Sequence, residues 1–439
     1  MCHRLAIGTT THPVDREIIV HPLRAEARFS CGITVPTLTA VKAVAVFAGR
    51  NIAMEQDVIV VGGGPAGLAF ARALRGSGLG VTLVERQSRV AMADPPDDGR
   101  EIALTHRSVA TLRALGAWQR IDPAMVSPLR RAEVLNGGSP FALSFAPDGE
   151  DRLGQLVSNH LIRGALFASV ESQAGITILA GKQVVAAAAG KAGASVTLDD
   201  GQVICGRLLV AADSRFSPIR AQLGIPARIA RPGRSMLLVR VTHAVEHGGI
   251  ATEWFDHGQT IALLPLVGRR SSVVLTLPED AVARLAALTP RALSRELTRR
   301  SGERLGTMEV EGETFVYPLA TVWSRHFAST RAALIGDAAV GMHPVTAHGF
   351  NLGLRGGVAL AALVGAAAGR GGDIGDASLL RRYEAAHRLA AGPVFAATNA
   401  IVRLFTDGSP PARLARPALL RAAASAPVRG GITRLLMRH

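Results

Sequence analysis

DVIVVGGGPAGLAFARALRGSGLGVTLVE, residues 57–85, is the stretch that decides the fold. Val58-Ile59-Val60-Val61 is a continuous β-branched run, the composition of a strand buried on both faces of a parallel sheet. Gly62, Gly64 and Gly67 follow it in G-x-G-x-x-G spacing. Leu68 to Leu74 has helical composition, Ser77-Gly78 breaks the chain, and Val81 to Val84 reads as a second strand ending on Glu85. A strand, tight turn, helix and strand within about thirty residues form the unit that binds dinucleotides. Gly62 permits the turn, Gly64 has no Cβ to block a pyrophosphate, and Gly67 lets the helix lie close on the strand. The helix start then offers N–H groups and partial positive charge to phosphate, and Glu85 offers acceptors to the ribose hydroxyls. A purely structural βα turn would need the glycines but not the acid at the far end.

Length and composition set the frame. A chain of 439 residues, 48% hydrophobic, has core enough for two domains. The formal net charge of +15 suits anionic cofactors, a membrane surface or nucleic acid. Aromatic residues are only 4% and do not interleave with the basic ones, which argues against nucleic acid. A GC-rich coding sequence would raise the arginine content without any polyanionic partner. Cys2, Cys31 and Cys205 are far apart, so neither a disulfide framework nor a zinc site is expected, and no metal is assigned. The longest apolar run, Val358 to Ala368, is interrupted by Gly365 and is shorter than the ~20 residues of a spanning helix.

Residues 1–53 lack amphipathic periodicity and carry His-Pro breaks at 12–13 and 21–22. They are read as a non-native or disordered extension, with Met54 as the natural start. After Glu85, a polar loop from Arg86 to Gly99 leads to Arg100 and a helix beginning near Thr105 that stops at Gly116. Arg131 to Pro147 alternates as strands do, Leu161 to Gln173 is helical, and Leu198-Asp-Asp-Gly-Gln202 is a hairpin turn. Arg207 to Ala212 is another buried strand with Asp213 at its carboxyl end, where open α/β sheets bind ligands. From Ser235 to Phe327 the texture changes to consecutive antiparallel strands and a helical stretch from Asp280 to Glu303. Ala332 to Ile335 is a third buried strand ending in Gly336-Asp337; a His343-Pro344 turn follows, and Gly349 opens a small-residue helix. Beyond Asp407 there are no acids, and arginines interleave with Leu, Ala and Ile. Such a tail lies on an anionic membrane or packs a Leu face on the core.

The expected architecture is α/β (α+β overall): a Rossmann-like FAD-binding domain from 54–234 and 328–400, a mixed-sheet substrate domain at 235–327 dominated by antiparallel strands, and a basic helical tail at 401–439. FAD is favoured over NAD because Asp213, Asp337 and the helix start at Gly349 extend the site well beyond one ADP moiety.

Three strand-end motifs in this order, GGGPAG with Glu85, LLVAADSRFSPIR and ALIGDAAVGMHPVTAHGFNLGL, resemble the flavoprotein aromatic hydroxylases related to para-hydroxybenzoate hydroxylase. Within these the wording is most similar to the ubiquinone-biosynthesis hydroxylases, on the demethoxyubiquinol hydroxylase branch. The resemblance covers Met54 to about Arg388. It implies an oxidoreductase with FAD bound, NADPH or NADH as co-substrate, O2, and a prenylated phenol or benzoquinol whose ring is hydroxylated. FAD contacts are implied for Gly62, Gly64, Gly67, Glu85, Arg86, Arg100, Asp213, Gly336, Asp337, Gly349, Phe350 and Asn351. A substrate pocket is implied near Leu264, Pro265, Tyr317 and Pro344, with His343 or His348 as candidate bases for the phenol. A bacterial cytoplasmic location, peripheral at the inner membrane or within a ubiquinone-biosynthesis complex, goes with such a substrate. The sequence departs from the family at Ser214 for glycine, Val340 for histidine, Ala347-His348 for Gly-Gln, and Gly356 for aspartate. Those departures keep open a non-catalytic flavin-binding scaffold subunit, and the shared scaffold keeps open an FAD-dependent reductase or halogenase, although W-x-W-x-I-P is absent.

Overall fold

The computed structural model describes residues 54–147, 149–256, 258–407, 409–427, 429–431 and 433. The segment 1–53, read above as an extension, lies outside the described residues, as do Arg434 and Arg438 of the tail.

The β-branched run forms the strand Met54–Val61, and Val58, Ile59 and Val60 have no exposed surface, as the composition requires. It sits in the middle of a sheet ordered Ala328–Ser329, Ala332–Leu334, Val203–Ala211, Met54–Val61, Val81–Glu85, Ile176–Ala180. From Ala332–Leu334 to Ile176–Ala180 every pairing is parallel. The hairpin Val184–Gly190 and Gly193–Leu198 pairs antiparallel with the first half of Val203–Ala211, whose second half pairs parallel with Ala332–Leu334. Helices Pro65–Ala73, Asn159–Val170 and Gly349–Ala368 cover this sheet and share its apolar core.

A second, seven-stranded sheet is ordered Met308–Pro318, Arg234–His243, Arg270–Pro278, Gln259–Pro265, Ile250–Asp256, Arg131–Asn136, Ala142–Phe145. Its neighbours differ from the consecutive antiparallel reading. Arg234–His243 pairs with Arg270–Pro278 instead of its successor, and Ile250–Asp256 runs parallel to Arg131–Asn136. The sheet thus takes in two strands from upstream of residue 235. Two helices, Glu279–Ala286 and Pro290–Arg300, bury its outer face, where one continuous helix was expected. Thr289 and Pro290 make the break: the Thr289 hydroxyl caps the second helix at Ala292 N, and Pro290 takes the first helical position.

Two helices, Gly349–Ala368 and Ala377–Thr406, are long and apolar enough to cross a membrane by length and composition, where the sequence showed no unbroken apolar run of that length. The first packs within the core, its hydropathy coming from Gly and Ala between scattered Leu and Val. The second exposes more of its surface, including Leu389 and Ile401. The tail helix Pro410–Ala423 packs Leu420 on Leu143, Phe145 and Leu153. Arg416 is buried there, donating to the carbonyls of Leu404 and Asp407.

Candidate functional site

The carboxyl ends of Met54–Val61, Val203–Ala211 and Ala332–Leu334 lie side by side, and the chain leaves each through a ligand-binding turn. At the first, Gly62 has φ +110°, and a Cβ there would lie 2.4 Å from the Ala212 carbonyl oxygen. A Cβ on Gly67 would lie 2.0 Å from Gly62 O, so both glycines are demanded by backbone contact alone. Gly64 differs: a Cβ there would meet nothing within 4 Å. The protein leaves that space open at the N-terminus of Pro65–Ala73, which has no side-chain cap. Glu85 closes the turn, Oε2 accepting from Gly63 N at 2.6 Å and Oε1 from Gln87 N at 2.9 Å. Arg86 is exposed beside it.

Asp213 stands against Gly62, whose Cβ would come within 2.8 Å of the Asp213 Cα. One carboxyl oxygen, Oδ1, is buried without a hydrogen-bond partner, and burial raises the acid against the opposing pull of the Ser217 hydroxyl and nearby N–H groups. An orphaned buried acceptor beside an open glycine cradle and an uncapped helix start fits a ligand with hydroxyls and a diphosphate. Ser214 is absent from the residues with positive φ, so its Cβ is tolerated where the family has glycine.

Gly336 has φ +57° against Ala66, and Asp337 follows it. Asp337 Oδ2 accepts from Arg215 Nε (3.1 Å) and Nη2 (2.9 Å), while Arg215 Nη1 donates to Ala320 O at 2.7 Å. The sequence reading assigned Arg215 no role. Arg100 donates from Nε (3.0 Å) and Nη2 (2.5 Å) to Asp98 Oδ2 and lies 5.8 Å from the centre of the Tyr317 ring. Tyr317 in turn donates to Asp98 O at 2.8 Å.

The helix start at Gly349 has no side-chain cap, and a Cβ on Gly349 would meet only Met342 Cβ, at 3.8 Å. Phe350 packs partly buried on the core. Asn351 is buried and committed to protein: Nδ2 donates to Ala103 O and Ala347 O, and Oδ1 accepts from Thr105 N. Ala347, where the family has glycine, takes the left-handed conformation at φ +53°, ψ 19°. His348 precedes the helix, its Nδ1 bonded to Thr346 O. His343 caps the turn Pro344–Thr346, Nδ1 accepting from Val345 N at 3.3 Å. Burial, then Arg215 and Arg234, push His343 down to about 4, so it is neutral at pH 7 with its proton on Nε2.

Strand alternation separates the substrate candidates. Leu263 and Pro265, two residues on, share the outer face with the helix-covered core, and Leu264 between them points to the inner one. Tyr317 lies on that inner face, opposite Met236, and Pro344 is exposed. The inner face carries Leu238, Arg240, Ala262 and Val274 as well, and Arg240 ties it to Asp97 and Glu101 of the first layer.

A parallel sheet with a glycine cradle, an acid at the second strand end, a further Gly-Asp turn and a second uncapped helix start defines a flavoprotein of the FAD-binding monooxygenase fold. The chain belongs to the family described as FAD binding domain, whose profile matches residues 55–398. It is 43% identical over 380 residues to the ubiquinone hydroxylase UbiM of Neisseria meningitidis, covering 85% of this chain and 82% of that protein. It is 36% identical to the ubiquinone hydroxylase UbiL of Rhodospirillum rubrum, covering 87% and 89%. The p-nitrophenol 4-monooxygenase PnpA of Pseudomonas putida DLL-E4 has the same fold, with TM-score 0.71, 18% identity and coverage of 88% and 100%.

Proposed function

We propose that this chain hydroxylates the ring of a polyprenylated benzoquinol in ubiquinone biosynthesis, with demethoxyubiquinol as its substrate. The observation that carries the reading is the convergence of the Gly62–Gly67 cradle, Asp213, Asp337 and the Gly349 helix start at the carboxyl end of the parallel sheet. The likeness to two ubiquinone hydroxylases over most of their length supports the substrate class. Held by these residues, FAD would supply hydride acceptance from NADPH or NADH and activation of O2, by which one oxygen atom would enter an electron-rich ring and the other leave as water.

The remaining work belongs to the chain's own residues. Gly62, Gly64, Gly67 and Glu85 hold the ADP half, and Asp213, Gly336 and Asp337 hold the ribityl side. The start of Gly349–Ala368 stabilises negative charge on the reduced ring through its N–H groups. Leu238, Ala262, Leu264 and Tyr317 exclude water above it. His343, neutral and carrying its proton on Nε2, serves as a hydrogen-bond donor to a ring oxygen. In this partition residues 54–234 and 328–400 build the cofactor domain, and 235–327, joined by the strands between 131 and 145, cover the substrate. A prenylated substrate resides in a membrane, so a peripheral place at the inner membrane or in a biosynthetic complex follows. Exposed Leu389, Ile401 and Leu419 on the C-terminal helices support that placement.

The test is quinone profiling of a strain lacking the gene, together with turnover of purified protein. Accumulation of demethoxyubiquinone, and FAD bleaching by NADPH that quickens with the quinol, are the expected results. An unchanged quinone profile overturns the proposal.

A further inference from the structure

Glu253 lies in the middle of the inner face of the second sheet. The register places it directly opposite Ala262, which is opposite Val274, which is opposite Leu238; on its other side it is level with Val134. All of these point away from the helix-covered face, toward the layer that carries the cofactor cradle. The next row along the same face, Phe255, Thr260 and Thr276, lies about 7 Å further on, two residues per strand. That row lines a hollow together with Arg234, His343 and Val402. Phe255 is stacked on Phe405 at 4.1 Å between centroids, and Val134 packs with Leu143 and Leu420, so apolar groups of the C-terminal helices seal this side.

Glu253 is half-buried on this face, two residues before the buried Phe255 that borders the hollow. Among the described residues its carboxyl has no hydrogen bond and no ion pair, whereas a carboxylate buried for structural reasons is paired. The sequence reading passed over it, because ATEWFDHG reads as an ordinary alternating strand.

We propose that Glu253 is the base that takes the proton from the ring hydroxyl of the quinol. The proposal rests on the hydroxylase reading above. As the ring attacks the activated oxygen, the O–H bond of the hydroxyl breaks, its electron pair stays on the ring oxygen, and the proton moves to the Glu253 carboxylate. When the ring regains aromaticity, the hydrogen displaced from its carbon leaves to water and Glu253 returns its proton to the ring oxygen. O2 is the oxidant in that reading, taking two electrons from NAD(P)H and two from the ring, and its second oxygen atom leaves as water. Burial pushes Glu253 up to about 8, close to the pH at which the enzyme would work, where a general base is most effective. His343, at about 4, is far weaker. Among the described residues, the charged groups on elements around this face include Arg234, Arg240 paired to Asp97 and Glu101, Arg100 paired to Asp98 beside Tyr317, and Arg416 bound to backbone carbonyls.

The test compares wild type, Glu253→Gln and Glu253→Asp, each loaded with FAD, using NADPH and demethoxyubiquinol with a short prenyl chain. Glu253→Gln is expected to bleach with NADPH at the wild-type rate but to hydroxylate about 100-fold more slowly, losing the rise in rate through pH 8. Glu253→Asp, keeping a carboxyl, is expected to retain that rise. Without substrate or turnover, the Tm of wild type should fall relative to Glu253→Gln as pH goes from 5 to 8, because the acid ionises in the unfolded chain while the folded protein keeps it protonated. Wild-type hydroxylation and pH profile in Glu253→Gln, or a Tm difference that is constant with pH, overturn the proposal alone. A wild type that holds FAD but hydroxylates no quinol overturns the hydroxylase reading and this proposal with it.

Discussion

Arg215 places two nitrogens on a single oxygen of Asp337, at 3.1 and 2.9 Å, and its third on the carbonyl of Ala320. The guanidinium thereby joins the Gly-Asp turn of the first layer to the segment that follows the strand Met308–Pro318 of the second. Without it, Asp337 loses its partner, in the place proposed to lie against the cofactor. Arg215→Ala is expected to weaken FAD binding about tenfold, or ~1–2 kcal/mol, since the pair is partly exposed. Fluorescence titration of apo-protein with FAD measures it; an unchanged Kd would show that Asp337 needs no such support.

The glycines of the cradle separate stability from binding. At Gly62 a Cβ meets backbone at 2.4 Å with φ +110°, so Gly62→Ala costs folding stability, at least ~2 kcal/mol, along with FAD. At Gly64 a Cβ meets no protein atom within 4 Å. Gly64→Ala should therefore unfold at the wild-type temperature as apo-protein and yet retain little FAD. Thermal melts of the two apo-variants beside their flavin absorbance check this contrast, and a destabilised apo Gly64→Ala would mean the open space is not the cofactor's.

Gly356 stands where the family usually has aspartate, and the structure supplies a reason. An added Cβ would lie 2.6 Å from Cε1 of His387, a buried ring stacked on Tyr383 at 5.7 Å between centroids. The histidine occupies the space of the missing side chain. Gly356→Ala is expected to destabilise by ~1–3 kcal/mol through overpacking, and by at least 1 kcal/mol less in a His387→Ala background. Denaturant unfolding of the four proteins gives the coupling directly; additive effects would remove the claim of replacement.

The first layer was legible because its signals are local. A β-branched run, a glycine turn and an acid at the next strand end lie within residues 57–85, and the paired elements follow in order. The second layer was less so. Arg131–Asn136 pairs with Ile250–Asp256, more than a hundred residues on, and nothing in either strand names its partner. Alternation tells which residues share a face and not which face is covered, so Leu264 and Pro265 were grouped although they point apart, and Glu253 went unnoticed. Asn351 shows a different limit: an amide at a helix start reads as a ligand contact, whereas its three hydrogen bonds go to Ala103, Ala347 and Thr105.

His343 and His387 give acid sensitivity with a defined window, to which His243, also pushed down by burial, adds in the same direction. Burial is the main cause at both His343 and His387, helped by Arg215 and Arg234 at the first and Arg355 at the second, and each is pushed down to about 4. In the unfolded chain they titrate near the ordinary 6.5. Between about 6.5 and 4 the unfolded state therefore binds protons that the folded state does not, and stability falls as pH drops through that window. Each histidine contributes up to ~3 kcal/mol of this loss, with no further change below 4. Glu253 acts oppositely: pushed up to about 8 from an ordinary 4.5, it is protonated in the folded state and ionised in the unfolded one, so it lowers stability as pH rises between those values. His387→Gln, which keeps a polar side chain of similar size, should flatten the acid limb in part, His343 and His243 keeping the rest, while leaving the limb from 6.5 to 8 unchanged. Urea unfolding of wild type and His387→Gln at pH 4.5, 6.5 and 8 measures both limbs, and an acid limb of equal depth in the two proteins would show that His387 takes up its proton while folded.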